Sequence, residues 1–367
     1  MSRLNGFLTG LRVLDLSRHL PGPLATLYLA DMGADVLKIE SVSGDETRQV
    51  GPKLANGSPA YFTALSAGKS LKTLDFRDPG QLEELLKLVA SADVLVESFR
   101  PGVMAKLGAG YERLRAVNPR LVYCALSGYG QSGPLQERAG HDANYLAGTG
   151  ILERNGYGRP SAQDAPVADC AASLTAVVSI LAALRDRDRT GKGCLIDIAL
   201  ADAAMPFQIL QIAELSATGV APSSNSGLFN GGAAFYRTYR TADGRWIALG
   251  AVEPKFWIAF CRAAGKPDWI ARQAEPLPQE DLIAELEQYF AALTLKEGSD
   301  RFELADCCYS EVVGLEDALA SPHNLHRNLV RRGDDGLLQA LMPVHIDGEP
   351  PATRITPAPG QRSWRSC

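Results

Sequence analysis

Histidine and paired cysteine are scarce in this chain of 367 residues, which contains five histidines and seven cysteines. The cysteine number is odd, no C-x-x-C pair occurs, and the two neighbouring cysteines, Cys307 and Cys308, are poorly placed to bind one metal ion together. We therefore expect a reduced, cytoplasmic protein without structural zinc.

Excess positive charge and long apolar segments are also lacking. The net charge is −5 and the pI is near 5.7, which argues against a nucleic-acid binder, although a local basic patch can still hold a phosphorylated small molecule. No window reaches about 18 apolar residues without a charge, and residues 1–10 have neither a long apolar core nor a cleavage-like site. The sequence predicts a small-molecule partner and neither export nor membrane insertion.

Short β-branched runs alternate with helical segments along residues 1–200. This pattern, in a chain long enough for about two domains, predicts an α/β fold with a doubly wound parallel sheet. Because such sheets bind ligands at the C-terminal ends of their strands, the loops after Leu16, Glu40, Phe76, Glu97 and Leu126 are the first places to search for a site. The predicted strands are Arg12–Leu16, Val36–Glu40, Leu71–Phe76, Val94–Glu97, Leu121–Leu126 and Cys194–Ile198, and the helices are Leu24–Met32, Gln81–Ser91, Tyr111–Val117 and Ala171–Arg185.

The composition changes near residue 215. Residues 216–229 are rich in Ser, Gly, Asn and Pro, which is typical of a linker, and a predicted hairpin of Phe235–Thr241 and Arg245–Gly250 follows. We predict a discontinuous large domain, residues 1–215 and 325–367, and a small α+β domain, residues 230–324. Further helices are predicted at Pro254–Ala264, Gln279–Ala292 and Gly298–Ala305, and a strand in the returning tail at Leu341–Ile346.

The segment from Gly128 to Gly133 follows a strand and fits the dinucleotide-binding pattern G-x-G-x-x-G. Its context argues against that function, because Pro134 comes next and residues 135–140 do not open an apolar helix whose N-terminus can hold a pyrophosphate. The glycines more simply let the backbone pass close to an extended ligand.

A His-Asp pair, His141-Asp142, stands among small residues, with Asp169 about one helix downstream and Glu253 before Pro254. A carboxylate at a helix N-terminus beside an imidazole, in an apolar pocket, can exchange protons near neutral pH, so we interpret these residues as an acid/base site. The other open interpretation is that they only cap the helices that follow them.

Four basic residues lie within or just after the early strands, near the predicted ligand edge: Lys38, Lys69, Lys72 and Arg100. Lys69 and Arg100 stand on glycine-containing turns, as phosphate recognition requires. The alternative is a solvated charged rim, the usual environment of lysine.

These segments together resemble the family III CoA-transferases (the CaiB/BaiF superfamily), and within it the α-methylacyl-CoA racemase branch. The resemblance runs over nearly the whole chain, and its most specific segments are Leu126–Gly133, Gly140–Leu146 and Tyr239–Gly244. It implies a Rossmann-like large domain, a small domain, and an interlocked homodimer whose sites lie between subunits.

The resemblance also implies that acyl-CoA is the substrate, with no metal and no further cofactor. The matching positions near the adenine and phosphates are Lys38, Ile39, Lys69, Lys72 and Arg100, and those along the route to the thioester are Gly128, Tyr129, Gly130, Gln131 and Tyr145.

Asp169 matches the carboxylate that both branches share, which is a nucleophile in transferases and a proton carrier in racemases. The patterns G-H-D-x-N-Y and G-A-x-E-P-x-F, present here with His141 and Glu253, are those of racemases. The resemblance therefore implies that His141, oriented by Glu253, and Asp169 exchange protons on opposite faces of the carbon beside the thioester, with the backbone N–H of Asp142 stabilising the enolate. The alternative is acyl-CoA:carboxylate CoA transfer through an anhydride at Asp169.

Three residues depart from the racemase pattern. Ser41 stands where an arginine is frequent near the nucleotide, and Ala234 where a proline usually follows paired glycines. Ser310 ends a loop that lacks the expected proline. These departures bear on CoA affinity and acyl specificity.

Overall fold

The computed structural model of the chain describes residues 2–155 and 159–356. Its strands are β1 Arg12–Leu16, β2 Asp35–Glu40, β3 Ser70–Thr73, β4 Val94–Glu97, β5 Val122–Ser127, β6 Leu195–Ala199, β7 Tyr236–Arg240, β8 Trp246–Gly250, β9 Tyr309–Glu311, β10 Val330–Arg332 and β11 Leu338–Ala340. Its α-helices are α1 Pro21–Asp31, α2 Ala60–Ser66, α3 Pro79–Ala90, α4 Val103–Lys106, α5 Tyr111–Val117, α6 Asp142–Gly148, α7 Ile151–Arg154, α8 Val167–Thr190, α9 Leu200–Ala204, α10 Ile209–Thr218, α11 Pro254–Ala263, α12 Glu280–Ala291, α13 Leu295–Phe302, α14 Leu315–Ala320 and α15 Pro322–Arg327.

The described chain divides into two compact units. The first runs to Leu146, continues with Asp164–Pro206, and resumes at Leu319; the second comprises Ala147–Gln163 and Phe207–Ala318. The predicted boundary near residue 215 thus lies eight residues or more beyond the observed one, and helix α10 occupies part of the predicted linker. Residues 357–367 of the predicted large domain lie outside the described residues.

A six-stranded sheet with all neighbouring strands parallel forms the centre of the first unit. Its order is β3-β2-β1-β4-β5-β6. This is the doubly wound order, in which the crevice between β1 and β4, where the order reverses, accepts ligands. The predicted α/β class is therefore confirmed, and the sheet directs the loops after β1, β4 and β5 to one edge.

Apolar strand residues bury the sheet against helices on both faces. On one face Leu14 and Leu95 pack with Leu85 of α3 and Leu114 of α5, and all four are fully buried. On the other face α8 packs against α1, β5 and β6. Among the described residues, α8 is the one helix long and apolar enough to cross a membrane by length and composition, a test that core helices also pass.

The second unit has an aromatic core under the antiparallel sheet β7-β8-β9. Phe260 of α11 stacks on Trp257, Phe290 and Phe302 with ring centroids 5.1–6.0 Å apart. The predicted hairpin is present, since Tyr239 pairs with Ile247 in an antiparallel register.

Several predicted elements differ in their bounds from the observed ones, among them α8, which begins at Val167 and ends at Thr190, and the two described next. Helix α13 begins at Leu295 rather than at Gly298, because Thr294 and Glu297 form a capping box at its start. The predicted strand Leu341–Ile346 is absent as such: the neighbouring residues Leu338–Ala340 pair with Val330–Arg332 instead.

Candidate active site

A cavity of about 570 Å³ opens at the C-terminal edge of the first unit's sheet. The loops after β1, β4 and β5 and the starts of α6 and α8 form its walls, as the strand order requires. His141 and Asp169 both line it. The other polar residues in its lining include Arg18, His19, Ser98, Arg100, Gln136, Arg138, Asn144 and Tyr145.

His141 precedes α6 and is held by its backbone. Its N–H donates to Oδ1 of Asn144 at 3.0 Å, and its carbonyl accepts the N–H groups of Asn144 and Tyr145. His141 is thus the cap residue of α6 through its backbone, which leaves the imidazole exposed in the cavity. The imidazole of His19 lies edge-on to it, with ring centroids 6.3 Å apart.

Asp142 and Asp169 meet at the start of α8. Oδ1 of Asp142 accepts the backbone N–H groups of Ala168 and Asp169 at 2.7 and 3.2 Å. The carboxylate that caps α8 therefore belongs to Asp142, and Asp169 is the third residue of the helix rather than its cap.

Burial and the nearby Asp142 carboxylate raise the pKa of Asp169 to about 7. Both causes disfavour a second negative charge in a half-buried place. Asp169 thus holds and releases a proton near neutral pH, which is what the acid/base interpretation requires of it.

Tyr145 fills the space between the two glycine segments. Its hydroxyl donates to the carbonyl of Gly140 at 2.6 Å, and its ring lies edge-on to Tyr129 at 5.3 Å. A Cβ on Gly128 would lie 2.8 Å from the Tyr145 hydroxyl, and one on Gly140 would lie 2.8 Å from its ring. Both glycines are therefore needed for the close approach of this ring.

The rest of the glycine segment is a loop. Gly130 adopts a φ of +86°, and the N–H of Gln131 donates to the carboxylate of Asp197 at 3.0 Å. No helix begins between β5 and Asp142, so the G-x-G-x-x-G pattern does not open a helix for a pyrophosphate.

A second cavity of the first unit, about 240 Å³, lies beside the first. Ile39 and Ser41 line it, and Arg18 and Phe99 line both cavities. The guanidinium of Arg18 lies 4.9 Å from the Phe99 ring centroid, so this pair forms the wall between the two cavities. Two adjoining cavities suit an extended ligand with two bulky parts.

Lys38 and Lys69 do not reach these cavities, which corrects their predicted phosphate contacts. Nζ of Lys69 pairs with Asp15 at 2.9 Å and donates to Thr26, all inside the protein. Nζ of Lys38 pairs with Asp45 at 3.0 Å, and Lys38 as a whole residue is only 1% exposed. Buried charges need such partners, so both lysines are structural.

The electrostatics of the Asp15–Lys69 pair agree with that role. Burial alone would raise the pKa of Asp15, but the ammonium groups of Lys69 and Lys38, together with hydrogen bonds from Ser17 and Thr26, lower it. Burial lowers the pKa of Lys69 to about 8, and Asp15 acts in the opposite direction.

The two other predicted cations differ from each other. Lys72 is part-exposed and pairs with Glu84 at 2.5 Å. Arg100 is exposed and lines the larger cavity. Arg138, which the sequence analysis missed, lines it too. It lies in a loop with no phosphate-binding pattern, so no sequence signal marked it.

His19 was also missed. It follows β1 by three residues and has a φ of 60°, a conformation more frequent for histidine than for most side chains. Its place in the first loop of the predicted ligand edge was the available signal.

Glu253 belongs to the second unit. It stands at the N-cap position of α11, but its side chain makes no capping hydrogen bond and is exposed. Capping therefore does not explain this carboxylate, and its orientation of His141 stays a prediction. Ser310 lines a separate cavity of this unit, about 490 Å³, and Ala234 is buried in the aromatic core.

The sheet order and the cavity define a Rossmann-like α/β protein with a candidate ligand site, and comparison with known proteins gives its family. The family model of CoA-transferase family III matches residues 8–363. The chain is 36% identical to the alpha-methylacyl-CoA racemase of Homo sapiens, over 87% of this chain and 81% of that protein. It is 32% identical to the succinyl-CoA:glutarate CoA-transferase of Mus musculus, over 88% and 76%.

A solved structure agrees with these relatives. The chain superposes on a CAIB/BAIF family protein from Brucella suis with a TM-score of 0.82 and 30% identity, over 96% of both chains. This chain therefore belongs to the CoA-transferase family III, which the sequence analysis had identified.

Proposed function

We propose that the protein inverts carbon 2 of 2-methyl-branched acyl-CoA thioesters by a two-base 1,1-proton transfer. The observation that carries this proposal is that His141 and Asp169 line one cavity, where burial and the nearby Asp142 carboxylate raise the pKa of Asp169 to about 7. A racemase needs one group that accepts a proton and another that supplies one at the same pH.

In one direction the neutral imidazole of His141 removes the C2 proton and the protonated carboxyl of Asp169 returns a proton to the opposite face. The electron pair of the broken C–H bond passes to the thioester oxygen as an enolate and then forms the new C–H bond. The backbone N–H of Asp142, in the first turn of α6, has no partner within the helix and is our candidate donor to the enolate oxygen. Glu253 is proposed to orient His141.

The CoA part of the substrate is proposed to lie along the two adjoining cavities. Ile39 lines the smaller one, which suits the adenine, and Arg100 lines the larger, where its guanidinium suits a phosphate. Gly128 and Tyr145 line the larger cavity towards the reacting carbon. The substrate itself supplies CoA, and we propose no further cofactor.

CoA transfer to a carboxylate is the second candidate, because transferases of the same family are 32% identical to this chain. Asp169 would then attack the thioester carbonyl, with CoA thiolate leaving, to give an acyl anhydride. That step uses the ionised carboxylate, whereas burial and the Asp142 carboxylate raise the pKa of Asp169 and favour the protonated acid that racemisation uses. We therefore favour racemisation.

We further propose a homodimer. Helix α10 of the second unit buries none of its residues, and its apolar side chains Ile209, Leu210, Ile212 and Leu215 are 44–69% exposed. An exposed apolar helix of this kind is typical of a subunit interface.

Isotope exchange tests the reaction. One enantiomer of a 2-methylacyl-CoA, incubated with the protein in deuterated water and no acyl acceptor, should gain deuterium at C2 and lose optical purity. His141→Ala should abolish exchange more severely from one enantiomer and Asp169→Ala from the other, because each group serves one face. His323→Ala, on exposed α15, is the matched control and should exchange as the unaltered protein does.

The same materials test the alternative. Absence of exchange, together with capture of CoA by an added carboxylate and trapping of an acyl adduct on Asp169 by hydroxylamine, would rule out racemisation and support the transferase.

A further inference from the structure

Glu97 is a buried carboxyl at the junction of the sheet and the wall between the two cavities. It is the last residue of β4 and is 4% exposed. Its in-register neighbours, Leu16 of β1 and Ala125 of β5, are apolar. Among the described residues it forms no ion pair, so no cationic partner accounts for a carboxyl group at this position.

One oxygen of Glu97 holds the chain that leaves β4, and the other joins it to β5. Oε2 accepts the N–H of Phe99 at 2.7 Å, and Oε1 accepts the hydroxyl of Tyr123 at 3.3 Å. Between them, Oγ of Ser98 accepts the N–H of Arg18 at 2.8 Å. Because Arg18 and Phe99 form the wall between the cavities, the conformation of this turn determines the shape of both.

Few groups oppose protonation of Glu97. Burial raises its pKa to about 7, the bonds from Phe99 and Tyr123 act in the opposite direction, and Asp197 of β6 raises it further. The other titratable group that interacts with it is the buried thiol of Cys124 on β5, whose own pKa is raised by burial and by Glu97. Both protonation states of Glu97 are therefore populated near neutral pH.

We propose that Glu97 is a positioning residue for the acyl-CoA ligand: its ionised carboxylate holds the Phe99–Arg100 turn in the conformation that binds the CoA part. The inference rests on the acyl-CoA ligand of the proposed function. An ionised oxygen accepts an N–H more strongly than a carboxylic acid does, so ionisation fixes Phe99 and, with it, the guanidinium of Arg100. CoA affinity then rises with pH as Glu97 loses its proton.

Calorimetric titration of the protein with free CoA tests this proposal. The titrations are made at several pH values from about 5.5 to about 8.5, a range that brackets the raised pKa of Glu97. Over this range, the increase in CoA affinity should be about fivefold larger for the unaltered protein than for Glu97→Gln. About fivefold is the ratio of binding constants that corresponds to the difference in strength between a hydrogen bond to a charged acceptor and one to a neutral acceptor. The CoA phosphate also titrates here, so the difference between the two proteins is the measured quantity. Glu112→Gln, exposed on α5, is the matched control and should follow the unaltered protein.

Tyr123→Phe is a second, independent variant. It keeps the ring and removes the O–H donated to Glu97, so the affinity change should move to higher pH. An affinity profile of Glu97→Gln that parallels the unaltered protein, or an unmoved midpoint in Tyr123→Phe, would overturn the proposal.

Exchange at C2, measured in the same proteins, separates the two proposals. CoA binding that depends on pH, without any exchange at C2, would contradict racemisation and leave the role of Glu97 intact. Exchange at C2, together with a difference in CoA affinity between the unaltered protein and Glu97→Gln that does not change with pH, would support racemisation and contradict the role of Glu97. In kinetics, a positioning role should change KM more than kcat.

Discussion

Replacing Asp169 by asparagine should stabilise the protein at alkaline pH while removing proton exchange from the enantiomer whose face Asp169 serves. Burial and the Asp142 carboxylate raise the pKa of Asp169 in the folded chain to about 7, from 3.8 for an unperturbed aspartate. Between these two pH values the folded chain keeps a proton that the unfolded chain has lost, so stability falls as pH rises and is lowest above about pH 7. Asparagine cannot ionise and escapes this loss.

The shift of about three pKa units corresponds to at most roughly 4 kcal/mol. We expect less, about 1–3 kcal/mol, because Asp169 is half-buried and the N-terminus of α8 favours the ionised form. The expected gain of the variant over the unaltered protein is therefore near zero at about pH 4 and about 1–3 kcal/mol at about pH 8.

Urea unfolding of both proteins at the two pH values, at equal protein concentration, measures this double difference. Other titrating groups cancel between the proteins. Asp164→Asn, at an exposed position, is the control and should change stability by less than about 0.5 kcal/mol at either pH. An equal effect of Asp169→Asn at both pH values would show that folding does not raise the pKa of this carboxyl, and the reasoning for Asp169 as a proton carrier would fail.

Four further outcomes are expected. Arg100→Ala should raise KM for acyl-CoA roughly tenfold or more in steady-state assays, by loss of a charge-assisted phosphate contact, and an unchanged KM would place Arg100 in a solvated rim. Lys69→Met should destabilise the protein by about 3–5 kcal/mol in urea because it leaves Asp15 buried without its partner, whereas a change in KM alone would restore the phosphate-contact interpretation. Gly128→Ala should lower exchange activity while the chain still folds, since its Cβ displaces Tyr145, and full activity measured with deuterium would show that the ring moves freely. Light scattering at micromolar concentration should give twice the mass of the chain, and a monomer would contradict the interlocked dimer.

Local pattern in the sequence was sufficient for much of the fold. The observed bounds of β1, β4 and α5 are those predicted. Each is a patterned segment with apolar residues, and the residues next to it in the sequence end it, so its limits are local properties. The predicted strand Leu341–Ile346 was wrong. The observed strand, Leu338–Ala340, has only three residues and forms by pairing with Val330–Arg332, and such a register is not a local property of the sequence.

For the site, the sequence determined which residue types are present, and the tertiary structure decided what they do. Lys69 and Arg100 look alike as cations on glycine turns, yet Asp15, 54 residues away from Lys69, turns the first into a buried ion pair while the second stays in the cavity. Asp169 resembles an ordinary helix cap, yet Asp142 takes that place, and burial together with the Asp142 carboxylate raises the pKa of Asp169. Charge and proton affinity depend on burial and on neighbours distant in sequence, so only the folded chain could assign them.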